Sequence, residues 1–164
     1  MATGVIEPGN QTCVCCGEAC GYVYDGPVYT AEDLQGHICP WCIADGSAAS
    51  KYDATYSDAR PLAMAGLAES IIDEVTRRTP GYISWQQDHW LTCCDDACEF
   101  RGDATRQDLQ TFDGGGLKQV LIANEIAPEE WETIVKQYRP AGDPAVYKFI
   151  CRHCQRTKFS VDYS

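Results

Sequence analysis

Cysteine placement constrains this chain more than any other feature. Eleven cysteines fall within 164 residues, and eight of them form four close pairs: Cys13 and Cys16, Cys39 and Cys42, Cys94 and Cys98, Cys151 and Cys154. A Cys-x-x-Cys turn sets two sulfurs on one side of the backbone and points amide groups back at them. A following glycine permits the left-handed residue such turns often need. Two turns of this kind supply the four soft ligands of a tetrahedral structural zinc site. Cys13-Val14-Cys15-Cys16-Gly17 and Cys39-Pro40-Trp41-Cys42 fit this pattern, with twenty-two residues between the pairs. The second set is less regular. Three residues separate Cys94 from Cys98, and fifty-two lie between Cys98 and Cys151.

The spacing therefore predicts two structural Zn2+ ions per chain, held by Cys13, Cys16, Cys39, Cys42, Cys94, Cys98, Cys151 and Cys154. The expected pairing is sequential, with a crossed brace as the alternative. Cys93 and His153 are the possible substitutes in the second site. Cys15 and Cys20 read as small buried hydrophobes. No apolar run approaches the ~20 residues of a membrane span. The start, MATGVIEPGN, has neither a basic nor an apolar leader segment. The expected location is the cytoplasm, where reducing conditions disfavour a disulfide framework.

Around the knuckles, periodicity predicts an α+β fold: zinc-ribbon-like β hairpins and cysteine knuckles with several inserted helices. GYVYDGPVYT (21–30) reads as a hairpin or two short strands after an extended or disordered arm over residues 1–11. A short helix is expected after Asp45. Leu67, Ile71 and Val75 recur at helical spacing within a helix over 61–78. A helix over 103–112 is expected with Asp103 as its cap, and Gly114-Gly115-Gly116 should break the chain before another turn or two of helix. Trp131, Ile134, Val135 and Tyr138 mark the clearest helix, after Pro128. AVYKFICRHC and TKFSVDYS read as strands flanking a cysteine turn. Trp85, Trp90 and Phe100 are expected in packing. The chain reads as one domain, 1–164, with sub-lobes over 12–60 and 85–164 joined by helix 61–78.

Catalysis finds little support. Four cysteines per site leave no open coordination position, and G-x-S-x-G, P-loop and HExxH motifs are all missing. His37, His89 and His153 are scattered, and Asp95 and Asp96 read as a solvated acidic pair. Cys39-Pro40-Trp41-Cys42 resembles a thiol–disulfide site, but it lacks the βαβ setting of one. The reading is a protein that is not an enzyme.

Charge points to the partner. The formal net charge is −11, and it belongs entirely to residues 1–100, with fifteen acids against four bases. Residues 101–164 carry nine of each. Eight ionised thiols and two divalent ions would take the total to −15. Such a body repels a phosphate backbone and attracts a basic protein.

The stretches ICPWCIADGSAA (38–49), EVTRRTPGYISWQQDHW (74–90) and CCDDACEFRGDA (93–104) resemble the CbrC-like family of small bacterial cysteine-rich proteins. The resemblance runs from about Cys13 to Cys154. It implies a small cytoplasmic protein and, from some members, tolerance of an E-type colicin, a DNA-cleaving bacteriocin. It supports the eight-cysteine ligand set. Family members often carry His at the position of Cys93, which argues against Cys93 as a ligand. They commonly carry Gly after the last knuckle, where this chain has Gln155.

The resulting expectation is a zinc-stabilised immunity or tolerance protein. It would bind and neutralise a basic bacterial toxin, a nuclease or bacteriocin, through an acidic surface. Glu32, Asp33, Asp45, Asp53 and Asp58 are the candidate acids. The alternative is a zinc-ribbon nucleic-acid-binding or transcription-associated module, suggested by Lys148, Arg152, Arg156 and Lys158 interleaved with Tyr147 and Phe149.

Overall fold

The computed structural model describes residues 4–31, 33–112 and 114–164. It is a mixed α+β structure with small antiparallel sheets, and the chain divides into two compact units. The first takes in the described residues up to Ile83 together with Asp88–Trp90. The second comprises Ser84–Gln87 and Leu91–Ser164. The helical stretch over 61–78 lies inside the first unit.

In the first unit, β1 (Ile6–Pro8) pairs antiparallel with β2 (Tyr22–Tyr24). The expected hairpin within 21–30 is therefore replaced by a pairing of β2 with the preceding arm. Tyr29 instead bridges Thr55. Helix α1 (Pro40–Ala44) starts inside the second knuckle, where Pro40 fits a first helical turn because it needs no amide partner. Helix α2 (Ser47–Tyr52) follows. The pattern over 61–78 resolves into α3 (Arg60–Met64) and α4 (Glu69–Arg78). Gly66, at φ +75°, ends α3 in a left-handed turn, and Leu67 beyond it is buried. Periodicity passed over this break because Leu67 keeps the helical spacing. Val5, Tyr24, Ile38, Ile43, Ala48, Ala49, Ala54 and Tyr56 form the core together with Cys13, Cys39 and Cys42. Asp88 is buried here and accepts a hydrogen bond from the Asp58 amide at 3.0 Å. Burial pushes its carboxyl up from the ordinary range.

The second unit opens with a tight hairpin of β3 (Thr92–Cys93) and β4 (Asp96–Ala97). Strand β5 (Glu99–Asp103) then begins a three-stranded antiparallel sheet in the order β5-β6-β7, completed by β6 (Ala145–Ile150) and β7 (Thr157–Asp162). Helices α5 (Arg106–Thr111), α6 (Gly114–Ala123) and α7 (Pro128–Gln137) lie between β5 and β6 in the chain. Their Leu109, Val120, Trp131 and Ile134 pack with Val146 and Phe159 of the sheet. The cap of α5 is Thr105, not Asp103: Thr105 and Asp108 form a capping box, while Asp103 ends β5. The helical run does break there, since α5 ends at Thr111 and Gly114 is left-handed at φ +63°, but Gly115 and Gly116 already lie in the first turn of the ten-residue α6. The reason is tertiary: Val120 is buried in the core, and this packing outweighs the poor helix propensity of glycine. Trp90 and Phe100 are buried as expected, but Trp85 is 58% exposed.

Gly81 sits where only a hydrogen atom fits, since a Cβ there would overlap the Tyr56 carbonyl oxygen. A Cβ at Gly66 would meet nothing within 4 Å. Gly66→Ala should therefore cost only the left-handed backbone, about 1 kcal/mol. Gly81→Ala should cost about 1–3 kcal/mol or more through steric overlap. Thermal unfolding of the two variants will separate them, and equal shifts would contradict this packing.

Candidate metal centres

Four sulfurs converge at each of two places. Cys13, Cys16, Cys39 and Cys42 have ligand atoms within 4.8 Å of one another, and so do Cys93, Cys94, Cys151 and Cys154. The first knuckle thus meets the second, and the β3–β4 hairpin meets the last knuckle. No disulfide joins any of the eleven cysteines.

The first centre is built from the 13–16 loop and the start of α1. The Cys13 amide bonds the Glu18 carbonyl at 2.9 Å, and the Gly17 amide bonds the Cys13 carbonyl at 2.8 Å. This closes the turn, with Gly17 at φ +79° as the motif anticipates. Lys51 and Tyr52 of α2 donate to the Val14 carbonyl at 2.9 and 2.7 Å and fix the loop. The backbone of His37 bridges Cys13 and carries the chain to the second knuckle. Amides of Cys39 and Cys15 donate to Cys13 Sγ at 3.2 and 3.4 Å. Burial raises the Cys13 thiol, but these amides and that of Cys16 bring it down to about 7. Burial drives Cys39 and Cys42 upward. Cys15 and Cys20 are half-buried beside the core rather than fully enclosed.

The second centre repeats the first knuckle's turn. The Cys151 amide bonds the Arg156 carbonyl at 3.0 Å, and the Gln155 amide bonds the Cys151 carbonyl at 3.1 Å. Gln155 takes the place of Gly17 and is left-handed at φ +58°. The turn survives without its glycine at a cost of about 1–2 kcal/mol. The Cys154 amide, donating at 3.4 Å, is the main influence that lowers Cys151 to about 6. Cys94 is pushed up to about 12, first by its contact with Cys154.

Here the expected ligand set needs correction. The structure gathers Cys93, not Cys98, with Cys94, Cys151 and Cys154. In the β3–β4 hairpin, Cys93 faces Asp96 and Thr92 faces Ala97, so Cys98 lies beyond Ala97. Two residues of strand put it roughly 7 Å further along the ladder than Asp96. Its amide bonds the Leu91 carbonyl at 2.8 Å, and its side chain is buried. Asp96 also departs from expectation. It is buried, not solvated, and accepts from Arg152 at 2.8 and 3.1 Å, with His153 Nε2 at 2.7 Å. It ties the hairpin to the last knuckle, and the Arg152 guanidinium holds its carboxyl below the usual range. Because the folded pKa is depressed, this stabilisation is present above the ordinary carboxylate pKa and is lost as pH falls through the lowered one. Asp95 remains exposed.

The donor set fits a soft metal ion. Four thiolates around one ion at a bond length near 2.3 Å lie roughly 3.8 Å apart at the corners of a tetrahedron. The sulfurs of Cys13 and Cys42 are 3.9 Å apart, those of Cys93 and Cys154 are 3.7 Å, and those of Cys93 and Cys94 are 3.9 Å. These spacings are far longer than a disulfide bond, near 2.05 Å. A bound cation would also offset the repulsion that keeps the four thiols of a cluster from ionising together. Metal analysis of Cys93→Ser should find one tightly held ion, and of Cys98→Ser two. Asp96→Asn should weaken the second ion about 10–100-fold in chelator competition. Loss of the second ion from Cys98→Ser but not from Cys93→Ser would reverse the assignment.

Comparison with known proteins is consistent along the chain. Residues 1–163 match the family described as "Uncharacterised protein family (UPF0167)". The chain is 48% identical over 165 residues to UPF0167 protein PA1536 of Pseudomonas aeruginosa, covering 100% of this chain and 92% of that one. It is 47% identical over 161 residues to UPF0167 protein Mb2317 of Mycobacterium bovis, covering 94% and 83%. The same figures hold for UPF0167 protein MT2352 of Mycobacterium tuberculosis. No solved structure matches this chain. The family match and these identities together place the chain in the UPF0167 family.

Proposed function

We propose that this protein is a zinc-stabilised cytoplasmic binding protein that neutralises a basic bacterial toxin, a nuclease or bacteriocin, through the acidic surface of its first unit. Zinc is the ion best suited to two closed four-sulfur sites, and the knuckles serve as zinc-ribbon-like scaffolding. The role is not enzymatic, because a closed tetrathiolate site offers no open position. The resemblance to CbrC-like proteins supports colicin tolerance as the biological setting.

The carrying observation is where the charge lies. The first unit holds twelve acidic and four basic residues, and the second holds twelve and nine. Asp33 and Asp45 are exposed in the first unit. Asp53 is exposed but paired with Arg77 at 3.2 Å, and Asp58 is half-buried, so both are weaker candidates. Glu32 lies outside the described residues. Tyr22 and Trp41 add an exposed aromatic pair, with ring centroids 6.1 Å apart. Aromatic faces beside carboxylates suit arginine and lysine side chains. No helix among the described residues is long and apolar enough to cross a membrane.

The nucleic-acid reading draws less support. Tyr147 and Phe149 are buried and not exposed for stacking on bases. Lys148 pairs with Asp108 at 2.5 Å, Lys158 donates to the Thr92 carbonyl at 2.7 Å, and Arg152 is engaged by Asp96.

Titration calorimetry with the nuclease domain of an E-type colicin tests the proposal. A complex should form, block DNA cleavage, and weaken as salt rises. Trp41→Ala with Asp33→Asn and Asp45→Asn should weaken it further. No complex and unchanged cleavage would remove the proposal.

A further inference from the structure

We propose that the second cysteine cluster is a modification site, at which a hydroperoxide links Cys93 to Cys154 as a disulfide and the ion held there is released. The first cluster keeps its ion. The inference rests on metal occupancy of the second cluster and is independent of the toxin reading.

Access is the first argument. In the first cluster only Cys16 is exposed, whereas Cys13, Cys39 and Cys42 are 1%, 2% and 5% exposed and sit among Ile38, Ile43 and Ala48. In the second only Cys151 is buried. Cys94 and Cys154 are exposed, and Cys93 is half-buried. Oxidation of cysteine follows thiolate character and exposure, so a dissolved oxidant reaches the second cluster first.

Geometry supplies the second argument. Cys93 and Cys154 sulfurs are 3.7 Å apart, although the residues are 61 positions apart in the chain. A bond between them would tether the β3–β4 hairpin to the last knuckle, the same connection the ion would make. A vicinal link between Cys93 and Cys94 would tether nothing.

Backbone conformation is the third. The two-residue turn of the β3–β4 hairpin is Cys94-Asp95, left-handed at φ +55° and +56°. Both central residues of such a turn favour glycine, asparagine or aspartate, and cysteine is a poor fit. Gln155 at φ +58° is a third residue of this kind at the same centre. The first cluster puts Gly17 where the second puts Gln155. Ligation would hold the second cluster's strained turns in place, and loss of two ligands would let them relax.

The chemistry balances. The Cys154 sulfur attacks one oxygen of the hydroperoxide, and the O–O bond breaks. The alkoxide leaves and takes a proton from water, and Cys154 becomes a sulfenic acid. The Cys93 sulfur attacks the Cys154 sulfur, the S–S bond forms, and the hydroxide leaves as water. Two electrons pass from the two sulfurs to the two peroxide oxygens. Cys94 and Cys151 remain, and two thiolates are too few for a closed zinc site. A dithiol reductant reverses the link.

The test uses the whole zinc-loaded protein, hydrogen peroxide, a colorimetric zinc indicator and peptide mapping by mass spectrometry. One of two zinc equivalents should leave about tenfold faster than the other or more. Mapping should find Cys93 joined to Cys154, and dithiothreitol with added zinc should restore two equivalents. Cys20→Ser should behave like the parent chain. Equal release rates, release without the Cys93–Cys154 link, no release, or a chain that binds a single zinc would each overturn the proposal. Failure to bind a toxin would leave these readouts unchanged.

Discussion

Everything in this fold depends on bringing four sulfurs to within 4.8 Å of one another, twice. The first convergence joins the 13–16 loop to the start of α1. The second joins two hairpins separated by more than fifty residues. The β3–β4 hairpin could not stand alone, because a two-stranded piece buries too little apolar surface to be stable in water. Thiols at roughly tetrahedral spacing are costly to keep ionised without a cation between them and strongly stabilising with one. The hydrophobic cores then do different work in the two units. In the first, Cys13, Cys39 and Cys42 are themselves part of the core. In the second, the main core lies between the helices and the sheet, away from a cluster that faces solvent.

This difference explains much of what was legible in the sequence. The first centre could be read residue by residue, because each of its turns carries a regular Cys-x-x-Cys spacing and the first also carries its glycine. The second could be read as a centre but not as the right four residues. Cys93 and Cys98 are both cysteines near a turn, and spacing alone favours neither. What decides between them is the register of the β3–β4 hairpin, in which Cys93 faces Asp96. Register is set by tertiary packing and turn geometry, and a two-residue turn at Cys94-Asp95 carries no glycine to announce it. Asp96 was misread for a related reason. A carboxylate among acidic neighbours reads as solvated until the Arg152 and His153 that enclose it arrive from the far end of the chain.

The helices follow the same division. Trp131, Ile134 and Tyr138 made α7 plain, because the periodic residues are the ones it buries. Gly114–Gly116 concealed the start of α6, and Leu67 concealed the break between α3 and α4. In both places local propensity and tertiary burial disagree, and burial prevails. The β1–β2 pairing escaped because the partner of β2 lies upstream across the cysteine loop and not across the nearby Asp25-Gly26-Pro27 turn.

The two centres carry different burdens, and their construction shows it. A glycine at Gly17 lets the first knuckle adopt its turn with little strain, and burial shields three of the four sulfurs of that centre. A site built this way serves permanence. The second uses Cys94, Asp95 and Gln155 in the same left-handed region, exposes two of its four cysteines, and adds the Asp96 clamp to hold its halves together. An ionic clamp would be superfluous if the sulfurs alone made the site secure. Its presence implies a centre whose halves must stay close when ligation is incomplete. The proposed partner surface falls elsewhere: the surplus of acidic residues lies in the first unit, where three of the four clustered cysteines are buried in the core. A surface meant to be recognised gains from a rigid support, because less conformational freedom is then lost on association.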